Sequence, residues 1–177
     1  MYAALLGASW RTLPESIRKL HQSGTRRRAS GNFRVRGGNA LGRLIARIGG
    51  LPSTVESVAV NLVVTPQPEG EEWRRKFGTA PLVSVQRIDG DAICEQFGAV
   101  EVRFRLEATE SALQYVFEGG SIRILGVVVP LPLIASAYER ARVDDGIGGI
   151  NVSVDVAMKG LGRIVAYDGT LTSIDVD

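Results

Sequence analysis

The spacing of apolar and polar positions changes period once along the chain. Up to about residue 50 it is helical. Leu13, Ile17, Leu20 and His21 share one face, and Leu41, Leu44, Ile45 and Ile48 share another. Thr12-Leu-Pro-Glu15 has the form of a capping box, and Pro14 is tolerated in a first turn, so the spacing predicts a helix from Thr12 to a stop near Gly24. A second short amphipathic helix stops at Gly49-Gly50. Between the two, after a basic link, Asn32 to Arg36 alternates like a short strand.

From Val55 the period is two. Segments 55–65, 71–77, 82–88, 92–97, 100–108, 113–117, 122–129, 135–143, 147–158 and 162–173 carry strand patterns, with turn signals at 66–70, 78–81, 89–91, 119–120, 144–146 and 159–160. The clearest alternation sets Val100, Val102, Phe104 and Leu106 against Glu101, Arg103, Arg105 and Glu107, a half-buried antiparallel strand. Eight to ten such strands must close or cover their edges. The expected fold is therefore mainly β: an antiparallel β-barrel or strongly curved sheet, with two short N-terminal helices plugging or capping one end. One domain over residues 1–177 is expected, a helical and basic segment 1–50 packing on an antiparallel body 55–177. A small barrel holds either packed side chains or one small ligand, and periodicity leaves both open.

Composition narrows the chemistry. With 45% hydrophobic and 23% charged residues the chain is of globular type. Cys94 and His21 are the only residues of their kinds, so neither an internal disulfide nor a Cys/His zinc set can form, and a cytoplasmic setting, no metal and no cofactor are expected. The apolar runs 2–6 and 127–135 are too short for a signal core or a membrane span. Gly37-Gly-Asn-Ala-Leu-Gly42-Arg43 lacks the Lys and hydroxyl residue of a phosphate loop.

Charge is unevenly placed. Residues 1–49 hold ten Lys or Arg against the single acid Glu15, and the rest hold eleven against eighteen acids. Arg26, Arg27 and Arg28 lack interleaved aromatics, so a solvated or self-paired face is expected rather than a nucleic-acid surface. Asp144-Asp145-Gly146 reads as a plain hairpin loop.

The candidates for chemistry are few. His21 faces the body of the protein, either donating to free carbonyls at its helix C-terminus or moving a proton. Phe77-Gly78 and Phe97-Gly98 each close a strand with a permissive glycine. Trp73 beside Arg74 and Arg75 could line a cavity mouth and clamp an anionic ligand.

Leu6-Gly7, Leu13-Pro14 with Ile17-Arg18-Lys-Leu20-His21, Trp73-Arg-Arg-Lys-Phe77-Gly78, Glu95-Gln-Phe97-Gly98 before Phe104, and Tyr167-Asp-Gly169-Thr-Leu171 together resemble the bacterial domain-of-unknown-function family numbered four-one-six-six. The resemblance covers almost the whole chain. It implies an association with small-molecule metabolism, since such domains also occur joined to saccharopine-dehydrogenase-like or nucleotide-sugar-epimerase-like partners, and it draws attention to His21, Arg75, Phe77, Gly78, Glu95, Phe97, Gly98, Tyr167 and Gly169. Against that family the stretch Gly126-Val-Val-Val-Pro130 departs from the shorter Gly and Pro turn expected there.

Three readings of function follow. The first is a barrel that encloses a hydrophobic or amphipathic small molecule, with Trp73, Arg75, Phe77, Phe97, Phe104 and Tyr115 as ligand-binding residues. The second is a cofactor-independent isomerase or cyclase in the same cavity, with His21, Glu95 and Tyr167 as catalytic residues. The third is a non-catalytic module docking on a metabolic enzyme.

Overall fold

The structure, a computed structural model, describes residues 1–142 and 149–176. Among them are eleven strands, ten in the period-two body and one before it: β1 (Arg27–Gly37), β2 (Val55–Gln67), β3 (Gly70–Phe77), β4 (Ala80–Asp89), β5 (Ala92–Phe97), β6 (Val100–Ala108), β7 (Ala112–Ile124), β8 (Val127–Leu131), β9 (Leu133–Ala141), β10 (Ile150–Met158) and β11 (Gly162–Val176). All pair antiparallel in the order β6-β5-β4-β3-β2-β1-β11-β10-β9-β7, and β7 returns to β6. The result is a closed ten-stranded barrel. β7 is long enough to serve two partners: its first half pairs with β9 and its second half with β8, so β7 and β8 end in a hairpin at Leu125-Gly126.

Alternation sets the two faces. Val60, Leu62, Trp73, Phe77, Val102 and Phe104 are buried. The outer wall carries ion pairs, such as Arg163 with Asp155 at 2.7 Å and Arg103 with Glu118 at 3.1 Å. Bulges at Ser30/Gly31, Arg103/Phe104 and Val156/Ala157 add the local twist that coiling a sheet into a barrel needs. Gly169 permits one close crossing. A Cβ there would lie 2.3 Å from the Asn32 carbonyl and 2.5 Å from the Phe33 ring.

Helices occupy both ends. Before β1 come α1 (Tyr2–Leu6), a 3-10 turn (Gly7–Thr12) and α2 (Glu15–Leu20), which form a floor together with the turns 68–69, 90–91 and 109–111. α3 (Ala40–Ile48), between β1 and β2, lies at the opposite end, the mouth, with the turns 78–79, 98–99, 125–126 and 159–161. Gly78 and Gly98 each take positive φ, +60° and +58°, at the first position of a two-residue hairpin, as the Phe-Gly repeats foretold.

Several expectations need correction. Three α-helices form where two were expected, because residues 2–6 also coil. The capping box does not form. The 3-10 turn takes up Thr12, whose hydroxyl donates to the Ser9 carbonyl at 2.9 Å, and α2 starts after Pro14 without a side-chain cap. The basic link is the first half of β1, because Arg27 turns inward to Glu71 at 2.7 Å and both are buried. With Arg34 bound to Glu56 at 2.6 Å and Arg36 to Asp168, this segment is self-paired. Gly119-Gly120 is no turn but lies inside β7, where a Cβ on Gly120 would meet Leu133 at 2.8 Å. The amphipathic α3 is present with its stripe turned outward: Gly42 and Ala46 are its buried residues, and a Cβ on Gly42 would approach the Arg163 carbonyl to 2.5 Å. The hairpin loop expected at Asp144-Asp145-Gly146 falls outside the described residues.

Candidate functional site

A cavity of about 240 Å³ runs from Leu20 of the floor to Ile45 and Met158 at the mouth. This is several times the roughly 30 Å³ share of one water and near the lower end of small-molecule sites. Its wall on the β9–β10 side is apolar and small: Ala135, Ala137, Val152, Val154 and Val156. The three valines are only half-buried although they point inward, as expected of side chains facing open space rather than a packed core.

The other strands add a polar cluster to a lining that is otherwise apolar there too, with Phe77, Leu82, Phe97 and Phe104. Arg75 donates to the Ser84 hydroxyl at 2.8 Å and to Glu95 at 2.9 Å, and Ser84 donates to the same Glu95 oxygen at 2.5 Å. The guanidinium also lies 5.1 Å from the Trp73 ring centre. Burial works against the Arg75 charge, yet Glu95 and the nearby phenols outweigh it and raise its pKa above the usual value. Tyr167 stands by the same pair. Burial first, with Glu95 and Glu139 in support and Arg75 opposing, pushes its phenol up to about 12. The Trp73 indole N–H has no hydrogen-bond partner among the described residues, though the residue is only 3% exposed.

At the floor end lies a polar network, of which Gln86, Tyr115 and Glu139 also line the cavity. Tyr2 donates to Gln86 at 2.6 Å and shares a 3.2 Å hydrogen bond with Tyr115, whose hydroxyl reaches Glu139 at 3.2 Å. His21 is fully buried, and its Nε2 lies 2.7 Å from Glu139, while Nδ1 has no partner. Its ring stacks 4.0 Å from Tyr2 and 5.5 Å from Trp73. Burial, with Glu139 adding to it, raises the Tyr2 and Tyr115 phenols well above their ordinary values.

Of the nine residues singled out in the sequence, Trp73, Arg75, Phe77, Glu95, Phe97, Phe104, Tyr115 and Tyr167 line this one cavity. His21 does not line it. It sits in the floor network, where its ring bonds a strand carboxylate rather than the end of its own helix. Sequence reading missed Ser84, Gln86 and the apolar β9–β10 wall. The signal was available in part: Leu82, Ser84 and Gln86 continue one phase of β4, and Glu71, Trp73, Arg75 and Phe77 one phase of β3. Among the described residues no group of His, Cys, Asp and Glu could hold a metal ion.

Comparison with known families settles the resemblance, for a family model matches residues 13–171. The chain belongs to the family described as domain of unknown function DUF4166. Every residue that lines the cavity of this DUF4166 domain, from Leu20 to Leu171, falls within that span. Neither the curated proteins nor the solved structures give a match.

Proposed function

We propose that this DUF4166 domain binds one small amphipathic molecule inside its barrel. What carries the reading is an apolar lining, with Ala135, Ala137, Val152, Val154 and Val156 on β9 and β10, into which the other strands set a polar cluster of Arg75, Glu95 and Tyr167. An apolar body fits the first. The second suits an acceptor oxygen, since the buried Trp73 N–H has no hydrogen-bond partner among the described residues, a costly state for a donor, and the Tyr167 phenol on the same cavity keeps its proton. Arg75 is already neutralised by Glu95, so a carbonyl or hydroxyl head group suits this cluster better than a carboxylate.

The test is titration with prodan, an apolar naphthyl ketone whose emission reports its surroundings, beside native mass spectrometry of the freshly purified protein. One probe per chain with blue-shifted emission is expected. Ala137→Leu, which fills the apolar wall, should weaken binding by about tenfold or more, and Tyr167→Phe by about fivefold, the worth of one hydrogen bond. Absence of both probe binding and a co-purifying molecule would refute the reading.

A second reading, isomerisation or cyclisation by proton transfer, has one observation in its favour: Glu95 and Tyr167 line the same cavity, the first a carboxylate and the second a phenol that holds its proton to about pH 12. Once a bound molecule is identified, Glu95→Gln should abolish its turnover while leaving its binding measurable.

A further inference from the structure

The apolar residues at the mouth do not stop at the cavity. Leu41, Leu44 and Ile48 form one stripe on α3, 52%, 53% and 78% exposed, while the next position of the same face, Ile45, lines the cavity. Across the mouth the β7–β8 hairpin exposes Ile124, Leu125, Val127 and Val128, and Leu131 and Leu133 just below it also line the cavity. Leu125 at the tip is 99% exposed and held at φ +49°, a left-handed conformation unusual for a bulky side chain. Scattered apolar residues on a surface need no explanation, but a paired helix and hairpin rimming one opening do.

Charge selects what would cover this rim. The connections at the mouth, 38–54, 78–79, 98–99, 125–126 and 159–161, contain no Asp or Glu. They carry Arg43, Arg47 and Lys159, with Arg123 at the base of the hairpin, all exposed, and none forms an ion pair among the described residues. The strand turns at the floor carry Glu69, Asp91 and Glu110, and the helical segment there adds Glu15 beside Arg11, Arg18 and Lys19, so the floor mixes both signs where the mouth is purely cationic. The outer barrel wall between the two ends is charged, the reverse of a membrane-spanning barrel, so the rim alone has the character of an interfacial element.

The geometry points to the mouth as a docking surface for an anionic lipid bilayer: the α3 stripe and the hairpin tip enter the headgroup region, and the cations lie against the lipid charge. Docked so, the cavity opens toward the acyl chains, and an apolar ligand passes between bilayer and barrel without crossing water. That route rests on the proposed ligand binding; the docking does not.

The test is sedimentation of the full chain with vesicles of phosphatidylcholine alone, or with phosphatidylglycerol added at about one part in four, at low and high salt. Binding to the anionic vesicles only, weakened by salt, is expected. Ile48→Glu and, separately, Leu125→Glu should abolish it. Arg43→Gln with Arg47→Gln should weaken it by about thirtyfold, whereas Arg11→Gln at the floor leaves it unchanged. Both glutamate positions are exposed, and a circular dichroism melt of each variant confirms its fold. No binding to anionic vesicles overturns the proposal, as does a dimer of the wild type that Ile48→Glu dissociates, which would assign the rim to a second copy of the chain. Prodan titration of the same variants keeps the readings apart: docking variants retain probe binding, and Ala137→Leu retains vesicle binding.

Discussion

The two ends of this barrel solve opposite problems. At the floor, polar groups are taken out of water together: Tyr2, Gln86, Tyr115, Glu139 and His21 form one network, and Arg27 of β1 meets Glu71 of β3 inside the barrel wall. At the mouth, apolar side chains are left in water or half in it, on α3, on the β7–β8 hairpin and along β10. A buried polar network tolerates few arrangements, so it fixes how the N-terminal helices seat on the strands. An exposed apolar rim fixes nothing in the fold. The floor therefore carries stability and the mouth is free to carry function, a division that substitutions can break.

The largest effect is expected at Arg27. It is fully buried and its partner Glu71 is 2% exposed, so Arg27→Met strands a carboxylate in the interior and should cost about 3–5 kcal/mol in urea unfolding. Replacing both, Arg27→Met with Glu71→Leu, should recover most of that loss, because the uncompensated charge disappears with its partner. A single substitution costing under about 1 kcal/mol would show that water reaches the pair and that the floor is not sealed.

Next comes alkaline pH. An unfolded tyrosine loses its proton near pH 10, while Tyr167 in the folded chain holds its own to about 12. Its folded pKa is raised, so the stability it contributes is complete below about pH 10 and is lost as pH rises toward about 12, some 2–3 kcal/mol in all. The buried Tyr2 and Tyr115 act in the same direction. Urea unfolding repeated at about pH 9, 10 and 11 should show this fall, and Tyr167→Phe should flatten part of it. An unchanged slope in that variant would place the Tyr167 hydroxyl in water.

How much of this was legible beforehand differs between the ends for a physical reason. The wall was legible, because a half-buried strand writes its two faces into alternate residues: β5 and β6 have the bounds that alternation gives, and Phe77, Glu95, Phe97 and Tyr167 fall on inward phases. The number of strands called for a barrel or a strongly curved sheet, and it is the pairing of β7 with β6 that closes it. The floor was not legible, since the bond from His21 to Glu139 joins residues 118 apart and no local pattern encodes it. Glycine misled twice. Gly119-Gly120 has the look of a turn but makes room for Leu133, and Gly42 makes room for a carbonyl, so that α3 lies down on the barrel by its small residues and not its apolar stripe. Periodicity identifies an apolar face without saying whether protein covers it.

A smaller effect is expected from Tyr115→Phe, which removes a hydroxyl placed between Tyr2 and Glu139. The ring stays, with its edge contact to Phe104 at 5.8 Å, so only hydrogen bonding is lost, about 1–2 kcal/mol in urea unfolding. A loss near zero would mean that Glu139 is satisfied by His21 alone and that the network is a chain of separable pairs.

The smallest effect belongs to the mouth. Ile48 is as large as the core residue Ile17, yet it is 78% exposed where Ile17 is fully buried. Truncating it removes little contact, and alanine favours a helix more than isoleucine does, so Ile48→Ala should leave stability within about 0.5 kcal/mol of the parent or raise it slightly. A thermal melt beside Ile17→Ala, expected to cost about 2–4 kcal/mol, makes the contrast direct. If Ile48→Ala proved as costly as Ile17→Ala, the stripe on α3 would be packed against protein in solution, and the mouth would be a second floor rather than an opening.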